Sequence, residues 1–169
     1  QAAVDRGLTG AVITLSRSLI VPFLTFSQRR DLREAAWRAW TTRGEHDGPT
    51  DNRPVIREIL ELRAEQAALL GFTSFADYAL ANTMARTHGA VMRLLDDVWS
   101  RAVPALERER AELIAQMKEQ SATHAIEPWD WRYWAEQVRL KDFAIDEAEF
   151  KPYFPLDRMV QAAFDCAQR

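Results

Sequence analysis

Apolar residues recur at three- and four-residue spacing along most of this chain, and the strongest run lies at 51–72. There Val55, Ile56, Ile59, Leu60, Leu62, Ala67, Leu69 and Leu70 make a wide helical stripe. Asp51 or Asn52 suits an N-cap, and Pro54 falls in the first turn, where a missing N–H costs nothing. Gly71 stands where a residue with positive φ ends a helix. Arg57 and Glu61 lie four apart on the other face, a pair worth only about 0.3 kcal/mol. So broad a stripe predicts a helix central to a bundle, because one neighbour cannot cover it.

The same pattern sorts the rest. Residues 1–10 read as a frayed helix end closed by Gly10, and AVITL at 11–15 is the one stretch with strand chemistry. SLIVPFLTF at 18–26 is apolar enough for burial, with Pro22 restricting it to a short helix or connector. Ser27 reads as an N-cap for a helix over 28–43. Its stripe is Leu32, Ala35, Ala36, Ala39 and Trp40, with Arg29, Arg30, Arg33 and Arg38 at the other positions. GEHDGPT at 44–50 is a loop by composition.

Ser74 caps FADYALANTMA, whose Phe75, Tyr78, Ala79 and Leu80 fold back on the Leu69–Leu70 end. Thr87 caps the longest run, about 89–120, with Val91, Leu94, Leu95, Val98 and Trp99 as its first apolar face. Ala102, Leu106, Leu113 and Met117 continue that face thinly, so the second half is expected to be solvent-facing on most sides. Pro104 is expected to kink or divide it. After the linker SATHAIEP, Pro128 opens WDWRYWAEQVRLKDF, with Trp131, Trp134, Ala135 and Val138 on one face. Asp146 and Glu149 resemble a capping box, with Ile145 stapling to Phe150, and 156–167 begins another helix. About seven helices against at most one short strand predict an all-α fold over a single segment, 1–169.

Composition narrows the classes. With 47% hydrophobic and 28% charged residues, the chain can fill a core and is too apolar for disorder. A net charge of −3 with interspersed signs predicts no nucleic-acid partner. No apolar run approaches the roughly 18 residues of a membrane span, and no signal peptide is visible. The lone Cys166 excludes an internal disulfide and a thiolate zinc cluster; a reducing compartment fits, hence the cytoplasm, with the periplasm left open. The start at Gln1 and the end at Arg169 inside an apolar-periodic run read as an excised piece of a longer polypeptide. Excision predicts uncovered apolar helix faces and self-association through them.

Catalytic chemistry is sparse. His46, His88 and His124 have no histidine at i+4, so a His-Glu-x-x-His face that could hold zinc is absent. Glu45, His46, Asp47 and Asp51 form the one local collection of oxygen and nitrogen ligands, and they read as a solvated loop. No G-x-S-x-G elbow occurs, Cys166 has no nearby histidine, and the six glycines are scattered. Asp96–Asp97 and Glu107–Glu109 read as solvated helix faces. Among Trp129, Trp131, Tyr133 and Trp134, the Trp131–Trp134–Val138 spacing is that of helix-packing core. Trp129 and Tyr133, offset from that stripe, are the candidates for a substrate-channel wall.

Several stretches, in order, resemble the zinc metallopeptidases of the thimet oligopeptidase group, and most closely its bacterial peptidyl-dipeptidase (dipeptidyl carboxypeptidase) branch. They are Arg29-Arg30 with Leu32-Arg33, Trp37, Ala39 and Arg43-Gly44; the 51–72 run, similar to "DN…I…IL.LR.E.A.LLGF"; and Phe75-Ala76-Asp77-Tyr78 with Met84-Ala85. Pro128-Trp129-Asp130-Trp131 with Tyr133 and Glu136-Gln137-Val138-Arg139, then Asp146-Glu147 and Lys151-Pro152-Tyr153-Phe154 with Leu156, complete the set.

The resemblance implies a mostly helical, two-lobed enzyme with a deep channel for short peptides. It further implies zinc on a His-Glu-x-x-His helix whose glutamate activates a water. That motif lies beyond this chain, so no zinc ligand or general base transfers to any residue here. The resemblance implies a scaffold segment, inactive alone, with zinc in the parent and none in these residues. The competing reading is a helical interaction module without catalysis.

Overall fold

The computed structural model describes residues 3, 7, 9, 10, 12–144 and 147–168. Along them run α1 (Arg17–Phe26), α2 (Arg30–Thr41), α3 (Arg53–Leu69), α4 (Phe75–Leu80), α5 (His88–Glu119) and α6 (Trp131–Phe143). A single turn, α7 (Glu147–Phe150), passes into a 3-10 turn (Lys151–Tyr153), and α8 (Leu156–Ala167) closes the chain. The described residues contain no strand, and Val12–Leu15 is irregular. The fold is all-α. The helix end expected within 1–10 lies largely outside the described residues, as do Ile145 and Asp146 of the expected capping box.

Local chemistry sets the helix ends. The Ser74 and Thr87 hydroxyls accept from the Asp77 and Ala90 amides at 3.1 and 3.2 Å, capping α4 and α5. α3 ends at Gly71, whose φ of 79° lets the Phe72 amide donate to the Ala67 carbonyl at 2.9 Å. Between α2 and α3, Gly44 has a φ of 79° and its carbonyl accepts from the Asn52 amide at 2.8 Å. A Cβ on Gly44 would stand 2.5 Å from Asn52 Nδ2. Ser27 is not the N-cap of α2: it ends α1, and α2 starts at Arg30 without a side-chain cap.

The core lies where α1, α2, α6 and the end of α5 meet. Ile20 and Leu24 of α1 are buried, and Leu113 and Met117 of α5 pack with Trp134 of α6. Ala122, Ile126, Trp131, Tyr133, Ala135 and Val138 surround that last group. Each fully buried large apolar side chain contributes about 1.5–3 kcal/mol.

Three expectations are corrected. Among the described residues α3 is not central: α4 is the one helix that packs on it, Ala67 is its one buried residue, and Val55, Ile56, Ile59, Leu60 and Leu62 are exposed. In α5 the thin second half holds the buried residues, because α6 packs there. The richer first half, Leu94 to Trp99, is exposed, since only the six-residue α4 reaches it. Of the two outcomes expected at Pro104, a kink or a division, the division does not occur, since α5 runs unbroken through it. The position is exposed, so water can satisfy the carbonyl that proline leaves unbonded. α8, with Leu156, Val160 and Phe164 exposed, packs on no other helix among the described residues.

Candidate functional site

Charge and aromatic chemistry converge on the turn before α6. The hydrogen bond from the Asp130 amide to the Glu127 carbonyl (2.8 Å) draws Trp129 and Asp130 inward, and Asp130 is fully buried. An isolated buried carboxylate would be prohibitively costly, so its partners decide the site. Arg33 Nη2 donates to Oδ1 at 2.8 Å and Arg30 Nη2 to Oδ2 at 2.9 Å, while the Glu127 amide donates to Oδ2 at 3.2 Å.

Arg33 is itself only 2% exposed. Its remaining donors meet main-chain carbonyls, Nε to Trp129 at 3.2 Å and Nη1 to Ser27 at 2.7 Å. Its guanidinium also lies 4.3 Å from the Tyr133 ring centroid. The Arg30 and Arg38 guanidiniums lie 5.5 and 4.9 Å from the centre of the Trp129 ring, which meets Trp37 edge-on at 5.7 Å. One charge cluster thus joins α1, α2 and α6.

The two residues singled out for a channel wall both belong to this cluster. Trp129 is buried, with no hydrogen-bond partner on its Nε1, and Tyr133 is half-buried against Trp134. Arg30, Arg33 and Asp130 occur within the family-like stretches of the sequence but carry no site role there. The only signal there was an aspartate held between two tryptophans, with two arginines on a helix otherwise read as polar decoration.

The ligand-like loop is occupied by its own arginine. Arg53 donates to Asp51 Oδ1 and Oδ2 at 2.9 Å each and also bonds Asp47. The Arg53 hydrogen bonds hold the Asp51 carboxyl below the usual carboxylate range. His46 Nε2 lies 3.3 Å from the Thr42 hydroxyl, His88 opens α5, and His124 Nδ1 lies 3.0 Å from the Ala125 carbonyl. Among the described residues no three His, Cys, Asp or Glu side chains are grouped to hold a metal ion. No helix there is long and apolar enough to cross a membrane.

The chain matches the model of "Peptidase family M3" over residues 23–169. It is 35% identical to "Oligopeptidase A" of Haemophilus influenzae, an alignment covering 100% of this chain and 25% of that protein. "Oligopeptidase A" of Escherichia coli is 36% identical over 99% of the chain and 25% of its own length. "Dipeptidyl carboxypeptidase" of Escherichia coli is 35% identical over 95% of the chain and 24% of its length. The chain therefore spans about a quarter of the relatives it matches.

Proposed function

The chain belongs to peptidase family M3, and from that premise we propose that it is a helical scaffold segment of a zinc-dependent peptidase acting on short peptides. The observation that carries this reading is the family match over 23–169, joined to relatives named as oligopeptidases and dipeptidyl carboxypeptidases. Zinc bound in such an enzyme polarises the scissile carbonyl and acidifies a water. His46, His88 and His124 sit on separate elements, and His124 Nδ1 lies 3.8 Å from the Asp130 carboxylate that Arg30 and Arg33 already bind, which supports placing the ligands elsewhere. The zinc and the general base are assigned to other parts of the parent.

What these residues would do is shape the wall of the peptide channel. α2 and α6, locked at Asp130, hold the Trp129 and Tyr133 rings in fixed orientation, and the half-buried Tyr133 is the one able to meet a ligand. The finer reading is release of C-terminal dipeptides by a cytoplasmic enzyme with neither nucleic-acid nor membrane partners.

Mass spectrometry of an N-acetylated decapeptide digested by the full-length parent tests this. Stepwise loss of dipeptides from the C-terminus, abolished by a chelator and absent with this chain alone, is expected. Internal cuts would overturn dipeptide release, chelator-insensitive turnover would overturn zinc, and turnover by this chain alone would overturn the scaffold role. The exposed stripes of α3 and α8 favour a second reading, a helical interaction module. A stoichiometric partner of a parent devoid of peptidase activity would support it.

A further inference from the structure

One side of α5 faces the connector to α6 across an open groove. Ile114, Met117 and Ile126 give it an apolar floor, and Arg110, Lys118 and His124 stand around it with the Thr123 hydroxyl; no carboxylate lines this part. The groove continues past the shared Arg110 and Ile126 to Leu106, Pro128 and Trp131, where Glu127 is its single acid. Basic groups thus occupy the middle and one end, and an acid the other.

From this distribution we infer that the groove binds an extended peptide segment carrying two carboxylates four residues apart with apolar residues between them. Arg110 and Lys118 lie on one helix about 12 Å apart at roughly 1.5 Å per residue. In an extended chain, residues i and i+4 point the same way and are about 13 Å apart at roughly 3.3 Å per residue. Two acids at that spacing therefore meet Arg110 and Lys118 while the i+2 side chain between them, on the same face, reaches Ile114, Met117 and Ile126.

Both cations are available. Lys118 pairs with no acid among the described residues. Arg110 has one contact, Glu107 at 3.7 Å, between side chains 50% and 63% exposed. An ion pair so exposed holds its arginine weakly. Glu127 repels a carboxylate from the Trp131 end, which fixes the direction in which the acids lie. Occupancy of the groove is separable from peptidase turnover, because it is read on this chain, which is proposed to be inactive.

Calorimetric titration of the chain with Ac-Asp-Val-Leu-Val-Glu-NH2 tests the inference, with Ac-Asn-Val-Leu-Val-Gln-NH2 and the reordered Ac-Asp-Glu-Val-Leu-Val-NH2 as comparisons. The first peptide should bind, more weakly as salt is raised, and the other two at least about tenfold less tightly. Arg110→Ala with Lys118→Ala should weaken it by about tenfold while the circular dichroism spectrum stays unchanged. Equal affinity for the three peptides, no binding of the first, or indifference to the double substitution would each overturn the inference. So would a groove filled by a second copy, seen as binding that is lost as chain concentration rises.

Discussion

Arg33 of α2 and Asp130 before α6, 97 positions apart, form an ion pair at 2.8 Å in which neither side chain is more than 2% exposed. Such a pair is weak evidence of net stabilisation, since desolvating both charges costs about what their attraction returns. Breaking it is another matter. Asp130→Asn or Arg33→Ala strands a buried charge and should lower stability by about 3–5 kcal/mol. Arg30→Ala removes a partner that is one-third exposed and should cost distinctly less. Urea unfolding followed by circular dichroism checks the order; equal losses at Arg30 and Arg33 would refute it.

The two halves of α5 should answer truncation differently. Leu113→Ala opens a cavity beside Met117 and Trp134 and should cost about 2–5 kcal/mol. Leu94→Ala removes an exposed side chain and should change stability by no more than about 0.5 kcal/mol. The same denaturation experiment distinguishes them.

Acid should loosen the start of α3. The carboxyl of Asp51, lowered by its Arg53 hydrogen bonds, contributes stability that is complete above the ordinary carboxylate value. That contribution disappears as pH falls from about 4 through the lowered folded value. The protection factors of the amides at 53 and 55–57, exchange rates corrected for their intrinsic pH dependence, should fall over this window, and Asp51→Asn should abolish that fall. An unchanged acid limb in the variant would show that the pair does nothing.

Self-association should follow from the uncovered stripes. Ile59 and Leu60 on α3 and Phe164 on α8 are 42–62% exposed, and adjoining apolar residues extend both faces. Sedimentation velocity at rising concentration should show larger species, reduced by Leu60→Lys with Phe164→Lys. A monomer at all concentrations would contradict this.

Hydrophobic period and capping residues were enough to read the helices, because both act within a few positions: Ser74, Thr87 and Gly71 do what their spacing implies. Trp131, Trp134 and Val138 likewise fall in the core, as their stripe requires. Burial was not legible in the same way. The breadth of the 51–72 stripe shows that α3 needs cover, yet no local pattern tells which element supplies it, and in the described residues α3 stays open. The Arg33–Asp130 pair escaped notice for a related reason. Arg33 is one of three arginines on α2, with Arg29 just before it, and only contacts 97 and 100 positions away mark Arg33 and Arg30 out as the partners of Asp130.

The heading of α3 away from α2 hangs on a hydrogen atom. At residue 44 any methyl would collide with the Asn52 amide group and force a backbone twist that L side chains resist. An alanine there would push the exposed Asn52 amide aside and carry the strain of that twist at the one bend from which α3 takes its bearing, loading a surface it never touches.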